Sequence, residues 1–418
     1  MPDLENETQV PELRFPEFRD RDGFKKTPLN KLLVETKTRN RDGKYGKEHV
    51  LSVSGEFGCV NQIELLGRSY AGESVANYHV VETGDIVYTK SPLKSNPFGI
   101  IKENKGVPGI VSTLYAVYRT TAKADPTFLN LFFSSDYNLN VYLQPLVNKG
   151  AKNDMKVKNS AVLLGNVFVP EVDEQEKISD CLVSLDELIN AEVDTLEALR
   201  DQKKGLIQNL IPEKGTSTPK CRFPDFQGLE EWGQKSLSEL APFVTDKIPA
   251  DSLSTDNYIS TENMISNFGG IAPSSNLPEV TRVTEFREND ILISNIRPYL
   301  RKVWLADRNG GASNDVLVLR PMHEVGSRYL QYILKSDDFI SYTMEGAKGV
   351  KMPRGDIASI GKYSVSFPSL ETGEQQQIAD CLSELDQCIG NLGTKILMLR
   401  EFKKGLVQKM IPAPELTG

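Results

Sequence analysis

The residues of this chain best equipped for chemistry are basic and amide side chains gathered in a few short passages. Between positions 25 and 47 stand eight basic residues, Lys25, Lys26, Lys31, Lys37, Arg39, Arg41, Lys44 and Lys47, against two acidic ones, Glu35 and Asp42. Tyr88, Lys90, Ser91 and Lys94 close a strand-like run, and Lys149, Lys152, Lys156 and Lys158 follow. In the second half, Ser294, Asn295, Arg297, Tyr299, Arg301 and Lys302 follow a run of similar outline, and Lys348, Lys351 and Arg354 stand in a Gly-rich loop. Such side chains neutralise phosphates, and Arg, Lys and Asn pair with guanine or adenine edges. The candidate DNA contacts are therefore Lys37, Arg39, Arg41, Lys44, Tyr88, Lys90, Ser91, Lys94, Lys152 and Lys156, with Ser294, Asn295, Arg297, Tyr299, Arg301, Lys302, Lys348, Lys351 and Arg354. Taken alone, the pattern fits a solvated basic face equally well.

Catalytic signatures are missing. His49, His79 and His323 are scattered, with no Cys or second His at ligand spacing, so structural or surface roles are expected and no metal. No phosphate loop, dinucleotide fingerprint or nucleophile elbow occurs. Ser95-Asn96-Pro97-Phe98 resembles the Asn-Pro-Pro-aromatic loop of amino-methyltransferases but lacks the second proline, and a Pro turn ending a strand explains it better. The chain reads as non-catalytic, with no cofactor of its own.

The chain has 418 residues, 39% hydrophobic and 25% charged, enough for two or three packed units rather than a disordered polymer. Lys plus Arg number 49 against 57 Asp plus Glu, a net charge of -8, which excludes a wholly basic nucleic-acid wrapper but not local basic patches. Five irregularly spaced cysteines signal neither a disulfide scaffold nor a zinc site. The opening MPDLENETQVPEL is acidic and polar, and no run approaches the ~18 apolar residues of a membrane span. A cytoplasmic, non-membrane protein is expected.

An internal repeat organises everything else. EQEKISDCLVSLDELINAEVDTLEALRDQKKGLIQNLIP at 174–212 returns as EQQQIADCLSELDQCIGNLGTKILMLREFKKGLVQKMIP at 374–412, 200 positions on and ungapped. Upstream, RFPEF at 14–18 matches RFPDF at 222–226, and GDIVYTK at 84–90 resembles NDILISN at 289–295. Each long segment carries apolar residues at alternating steps of four and three: Ile178, Leu182, Leu185, Ile189, Leu196, Leu199 and Leu206 in the first, and Ile378, Leu382, Leu385, Ile389, Leu392, Ile396, Leu399 and Leu406 in the second. That is the seam of a coiled coil, with Glu192, Lys203 and Lys403 as polar breaks that could fix register. Each segment stops at Ile-Pro.

The parts that differ between the halves read as mixed α/β units. HVLSV (49–53), GDIVYT (84–89), LYAVYR (114–119), NVFVP (166–170), DILIS (290–294), DVLVLR (315–320) and YSVSFP (363–368) are predicted strands. PTFLNLFFSSDYNLNVYLQPL and SRYLQYILKSDDFISYTM each read as one helix. The predicted divisions are a first unit over 1–173, a helix over 174–212, a second unit over 213–373 beginning with the linker 214–220, a helix over 374–412 and a tail over 413–418, with 1–12 loose.

This organisation, with an EQ..I...L..LD..I helix ending in R..KKGL.Q.(L/M)IP twice and an RFP(E/D)F lead-in, resembles the specificity subunit of a Type I restriction-modification system. The resemblance covers essentially the whole chain. It implies an α/β fold of two target recognition domains, each followed by a long helix, the helices packed as an antiparallel coiled coil with pseudo-twofold symmetry. It implies a non-catalytic subunit that reads a bipartite, asymmetric site in double-stranded DNA. Its implied partners are two methyltransferase subunits, which bring S-adenosylmethionine, and restriction/translocase subunits, which use ATP and Mg. Two other classes compete, an enzyme with a degenerate motif and a coiled-coil scaffold that never touches bases.

Overall fold

The structure is a computed structural model and describes residues 7–90, 93–147, 157–213, 215–277 and 279–414. The chain divides into two compact units: Met1–Ala191 with Lys395–Gly418, and Glu192–Thr394. All seven predicted strands form, with ends shifted by a residue or two.

The first unit is built on a four-stranded antiparallel sheet ordered Leu33–Glu35, Ala116–Thr120, Ile86–Thr89, Ile100–Glu103. A three-stranded sheet joins Thr8–Gln9, Phe24–Pro28 and Asn166–Val169. The core holds Phe24, Tyr88, Tyr118, Phe128, Phe132 and Phe133, and extends to Ile178, Leu182, Met410 and Ile411 of the two long helices. Residues 7–12, expected to be loose, are tied down: Lys26 N donates to Glu7 O, Thr8–Gln9 pairs with Phe24–Lys25, and Leu13 N donates to Lys409 O.

The second unit repeats the plan with different strands. A three-stranded antiparallel sheet orders Val303–Leu305, Ile291–Ser294 and Val316–Leu319, and a four-stranded sheet orders Lys247–Pro249, Arg282–Phe286, Gly310–Ala312 and Tyr258–Ile259. Its core includes Trp232, Tyr329, Tyr332, Phe339 and Tyr363 with Leu210, Ile211, Ile378 and Leu382 of the long helices. The linker's described residues are bonded to this unit, since Ser366 Oγ donates to Thr216 O and Trp232 N to Ser217 O.

Each passage expected to be one helix is two. Pro126–Ser134 and Asp136–Leu143 meet at Ser135, and Ser327–Leu334 and Asp337–Glu345 are parted by Lys335 and Ser336. The two serines adopt extended backbone, and their hydroxyls accept from Asn138 N and Phe339 N, so each breaks the ladder to cap a new helix. The long helices span Val172–Leu210 and Glu374–Met410, ending two residues before the expected prolines.

The repeated EQ dipeptide pins each helix to its unit. Arg14 Nε and Nη2 donate to Glu174 Oε1 and Oε2 at 2.8 and 2.7 Å, and Arg222 makes the same fork to Glu374 at 2.8 and 2.8 Å. Both carboxylates are fully buried, in the first turn of a helix whose N-terminal dipole also favours negative charge. Beside them, Gln175 Nε2 donates to Pro170 O and Lys123 O, and Oε1 accepts from Asp125 N; Gln375 does the same with Pro368 O, Glu324 O and Gly326 N. The arginines are those of the two RFP lead-ins, so the strongest repeats in the sequence are the two ends of one contact.

In the first unit Asp186 accepts from Lys403 Nζ at 2.5 Å, and in the second Asp386 accepts from Lys203 Nζ at 2.5 Å. Within each unit the helix segments thus meet running in opposite directions. The seam faces inward: Ile178, Leu182, Ile189, Leu196, Ile378, Leu382 and Ile396 are buried. Leu185, Leu199, Leu206, Leu385, Ile389, Leu392, Leu399 and Leu406 are half-buried rather than sealed.

Candidate nucleic-acid interface

The candidate residues of the second unit converge. Ile291–Ser294 is a strand buried on every residue, and the chain leaves it at Asn295, whose N donates to Asp315 O and whose carbonyl accepts from Gly355 N. Arg297 N donates to Pro353 O at 2.7 Å, and Lys348 and Arg354 exchange backbone hydrogen bonds of 2.9 Å. These bonds lock loop 295–302 to the Gly-rich loop 346–355. Arg297, Tyr299, Lys348, Lys351 and Arg354 are exposed there, alongside Val350 and Met352.

Acidic neighbours divide the cations by role. Arg301 pairs with Asp337 at 2.6 Å and Arg354 with Asp315 at 3.2 Å, so both are held in place as well as presented. Lys302 Nζ donates to Thr261 O at 2.6 Å; burial and then the nearby Arg297 charge hold its pKa below the usual lysine value, against Glu262. Lys302 braces a loop more than it offers a free charge. Among the described residues, Arg297 and Lys351 have no acidic partner.

Two candidates are corrected outright. Ser294 is buried, its hydroxyl donating to Ile296 O, and Tyr88 of the first unit is fully buried, its hydroxyl donating to Phe98 O. Neither side chain is placed to touch a ligand. Burial pushes the Tyr88 phenol well above its ordinary range.

In the first unit the residues gather less tightly. Lys37, Arg41, Lys44 and Lys94 are exposed and Lys90 is half-buried. Arg39 Nη1 donates to Asn77 O at 2.7 Å, and its backbone bridges His79. His79 is buried, and burial with the Arg39 charge lowers its pKa, favouring the neutral ring. His49 Nδ1 accepts from Gly46 N, and His323 is exposed. Among the described residues no His, Cys, Asp and Glu group could hold a metal. Ser91, Lys149, Lys152 and Lys156 lie outside the described residues.

The Ser95–Phe98 fragment is a turn, as expected. Asn96 is buried, its Nδ2 donating to Asp136 Oδ1 and its carbonyl accepting from Leu93 N. Asp136 opens the second short helix, the place that Asp337 holds opposite Arg301 in the other unit. Both units use that acidic position to anchor the loop after the central strand.

One loop escaped the sequence reading. Residues 264–271 form a tight hairpin in which Ile265 N donates to Gly270 O. Its tip donates from Asn267 N to Leu300 O and from Phe268 N to Arg301 O, so it becomes a third wall of the basic cluster. The signal was ISNFGG, a turn composition without charge.

Residues 229–399, which contain all three loops, match the family profile described as the Type I restriction modification DNA specificity domain. Within the chain, residues 229–399 are similar to a Type I DNA specificity domain. The match agrees with the resemblance drawn from the repeated helices. Over 198 residues the chain is 28% identical to the specificity subunit of the Type I restriction enzyme MjaVIII of Methanocaldococcus jannaschii. That match covers 45% of this chain and 44% of the relative, so it spans less than half of that protein. Beyond that stretch, the fold agrees with solved structures over nearly the whole length. The S subunit of the Type I system of M. genitalium superposes at TM-score 0.56 with 13% identity, covering 97% of this chain and 100% of that one. A chain from a structure on complex assembly and conformational transition of the type I R-M system superposes at 0.54 with 15% identity, covering 93% and 97%. Among the described residues no helix is long and apolar enough to cross a membrane.

Proposed function

We propose that this chain is the DNA-specificity subunit of a Type I restriction-modification complex and that each unit reads one half of a bipartite, asymmetric site in double-stranded DNA. The observation that carries this reading is the meeting of three loops, 264–271, 295–302 and 346–355, with their exposed cations, inside the stretch that matches the specificity domain. Phosphate contacts would set the register of the duplex, and the exposed Arg and Asn side chains would read base edges. The first unit, with the same clamps but different loops, would read the other half.

The two long helices would form one antiparallel coiled coil that sets the gap between half-sites and docks two methyltransferase subunits. Those subunits would supply S-adenosylmethionine and the methyl transfer, and restriction/translocase subunits would supply the ATP- and Mg-dependent cleavage. This chain would bind no cofactor and work in the cytoplasm.

The test is methylation-site sequencing of DNA treated with the full chain plus its methyltransferase partner, beside gel shifts on random DNA. A two-part motif that vanishes when this chain is omitted is the expected result. Methylation by the chain alone, or a motif indifferent to its presence, would overturn the reading.

A further inference from the structure

We propose that Asn267 is a base-reading residue of the second unit, taking the edge of an adenine in the major groove. This rests on the DNA-reading role above and names one contact within it.

The backbone at Asn267 is held where a side chain rarely sits. Asn267 and Phe268 have φ of 56° and 61°, and Arg297 and Arg301 have φ of 51° and 56°. Only one other non-glycine residue of the described chain, Asn289, has positive φ. L-residues enter this left-handed region as isolated cases, Asn tolerating it best and bulky residues least. The two loops that carry these residues are joined through Asn267 N to Leu300 O at 2.9 Å and Phe268 N to Arg301 O at 2.8 Å, and Leu300 N in turn donates to Arg297 O at 2.8 Å. Half-buried Phe268 packs on the core and roots the hairpin, and Lys302 Nζ holds its stem at Thr261 O. Conformations of this cost persist where surrounding structure over-determines them, as at ligand clamps.

The two asparagines of this loop contrast. Asn263 is buried and its amide is spent, accepting from Ser260 N at 2.6 Å and donating to Tyr258 O and Ala272 O at 3.0 Å. Asn267, four residues on, is exposed, and among the described residues its amide has no hydrogen-bond partner. One amide builds the loop; the other is carried on a backbone that cannot swing. Its neighbours Arg297 and Tyr299 are also exposed and supply charge and a stacking face. An amide donates to one acceptor and accepts from one donor in the same plane, which matches adenine N7 and N6. A guanidinium or ammonium offers donors only.

The experiment uses the full chain with its methyltransferase partner and reads the methylated motif by sequencing. Asn267→Gly removes the amide while keeping a residue that accepts φ of 56° without strain, so loop and assembly should survive. The expected result is discrimination at one adenine of one half-site falling by on the order of ten- to a hundredfold, with the other half-site unchanged. Asn267→Asp, which can only accept, should shift that position toward cytosine. An unchanged motif in Asn267→Gly overturns the assignment, and so does an equal loss at every position, which would make Asn267 a brace or a phosphate contact. Reversing Arg297 and Arg301 together separates the two levels: if that variant also leaves the motif intact, the DNA-reading role of this loop cluster fails with it.

Discussion

Arg222 holds Glu374 across 152 positions of sequence through two parallel hydrogen bonds, with Trp232 Nε1 donating a third to the same carboxylate at 3.2 Å. The contact joins the first residues of the second unit's lead-in to the start of its long helix. Its twin, Arg14 with Glu174, lacks the indole.

Removing one partner should therefore be costly. Arg222→Ala strands a buried carboxylate and should lower stability by about 3–5 kcal/mol, while a paired replacement by well-packed apolar residues should cost far less. Thermal melts of both variants check this. Equal losses in the two would show that the ion pair is not what the site depends on.

Seam positions should differ by burial. Leu182→Ala and Leu382→Ala, both fully buried, should each cost about 2–5 kcal/mol. The half-buried Leu185 and Leu385 should cost clearly less on the same change. Chemical denaturation of the four single variants gives the order, and a larger loss at Leu185 than at Leu182 would contradict the packing described.

A pH effect follows from Lys335. Burial, with Lys203 nearby, pushes its pKa down to about 8, Asp386 opposing. Unfolded, it titrates near its ordinary value of 10.5, so between about pH 8 and 10.5 the unfolded chain binds more protons than the folded one. This group's contribution therefore makes stability rise with pH through that window. Lys335→Met should raise stability near neutral pH by about 1–3 kcal/mol and flatten the rise. A stability curve identical to wild type from pH 7 to 10 would count against it.

The helices can be tested as a ruler. Four residues inserted near Asn190 lengthen the first helix by about 6 Å. The gap of the methylated motif should grow by about one or two base pairs, with both half-sites unchanged. Sequencing the methylated sites reads this directly, and a changed half-site or an unchanged gap removes the ruler.

The parts that were legible in the sequence are those with a simple period. The heptad seam and the seven strands could be read because burial on one side leaves a repeating mark. Tyr88 and Ser294 were misplaced because Ile86–Thr89 and Ile291–Ser294 are buried on both faces, so alternation carries no information about which side chain meets solvent. The breaks at Ser135 and Ser336 were hidden because apolar spacing continues through them while the backbone does not. The Asn267 hairpin carries no charge, and a search for phosphate ligands passes over it. The lead-in arginines and the helix glutamates were each visible as repeats, yet nothing in one dimension says that they are partners.

The first unit is interrupted in sequence, and this has a consequence for synthesis. Met410 and Ile411, made after the whole of the second unit, sit in the core that holds Phe24, Ile178 and Leu182. The second unit, Glu192–Thr394, is continuous. Domains emerging from the ribosome usually fold N-terminal first. Here the order is inverted: the residues up to Ala191 wait with an unfinished apolar core until the segment from Lys395 is made, while Glu192–Thr394 can close before them. A nascent chain stalled before Lys395 would present Ile178 and Leu182 to chaperones, so synthesis of the second long helix is itself the step that finishes the first unit.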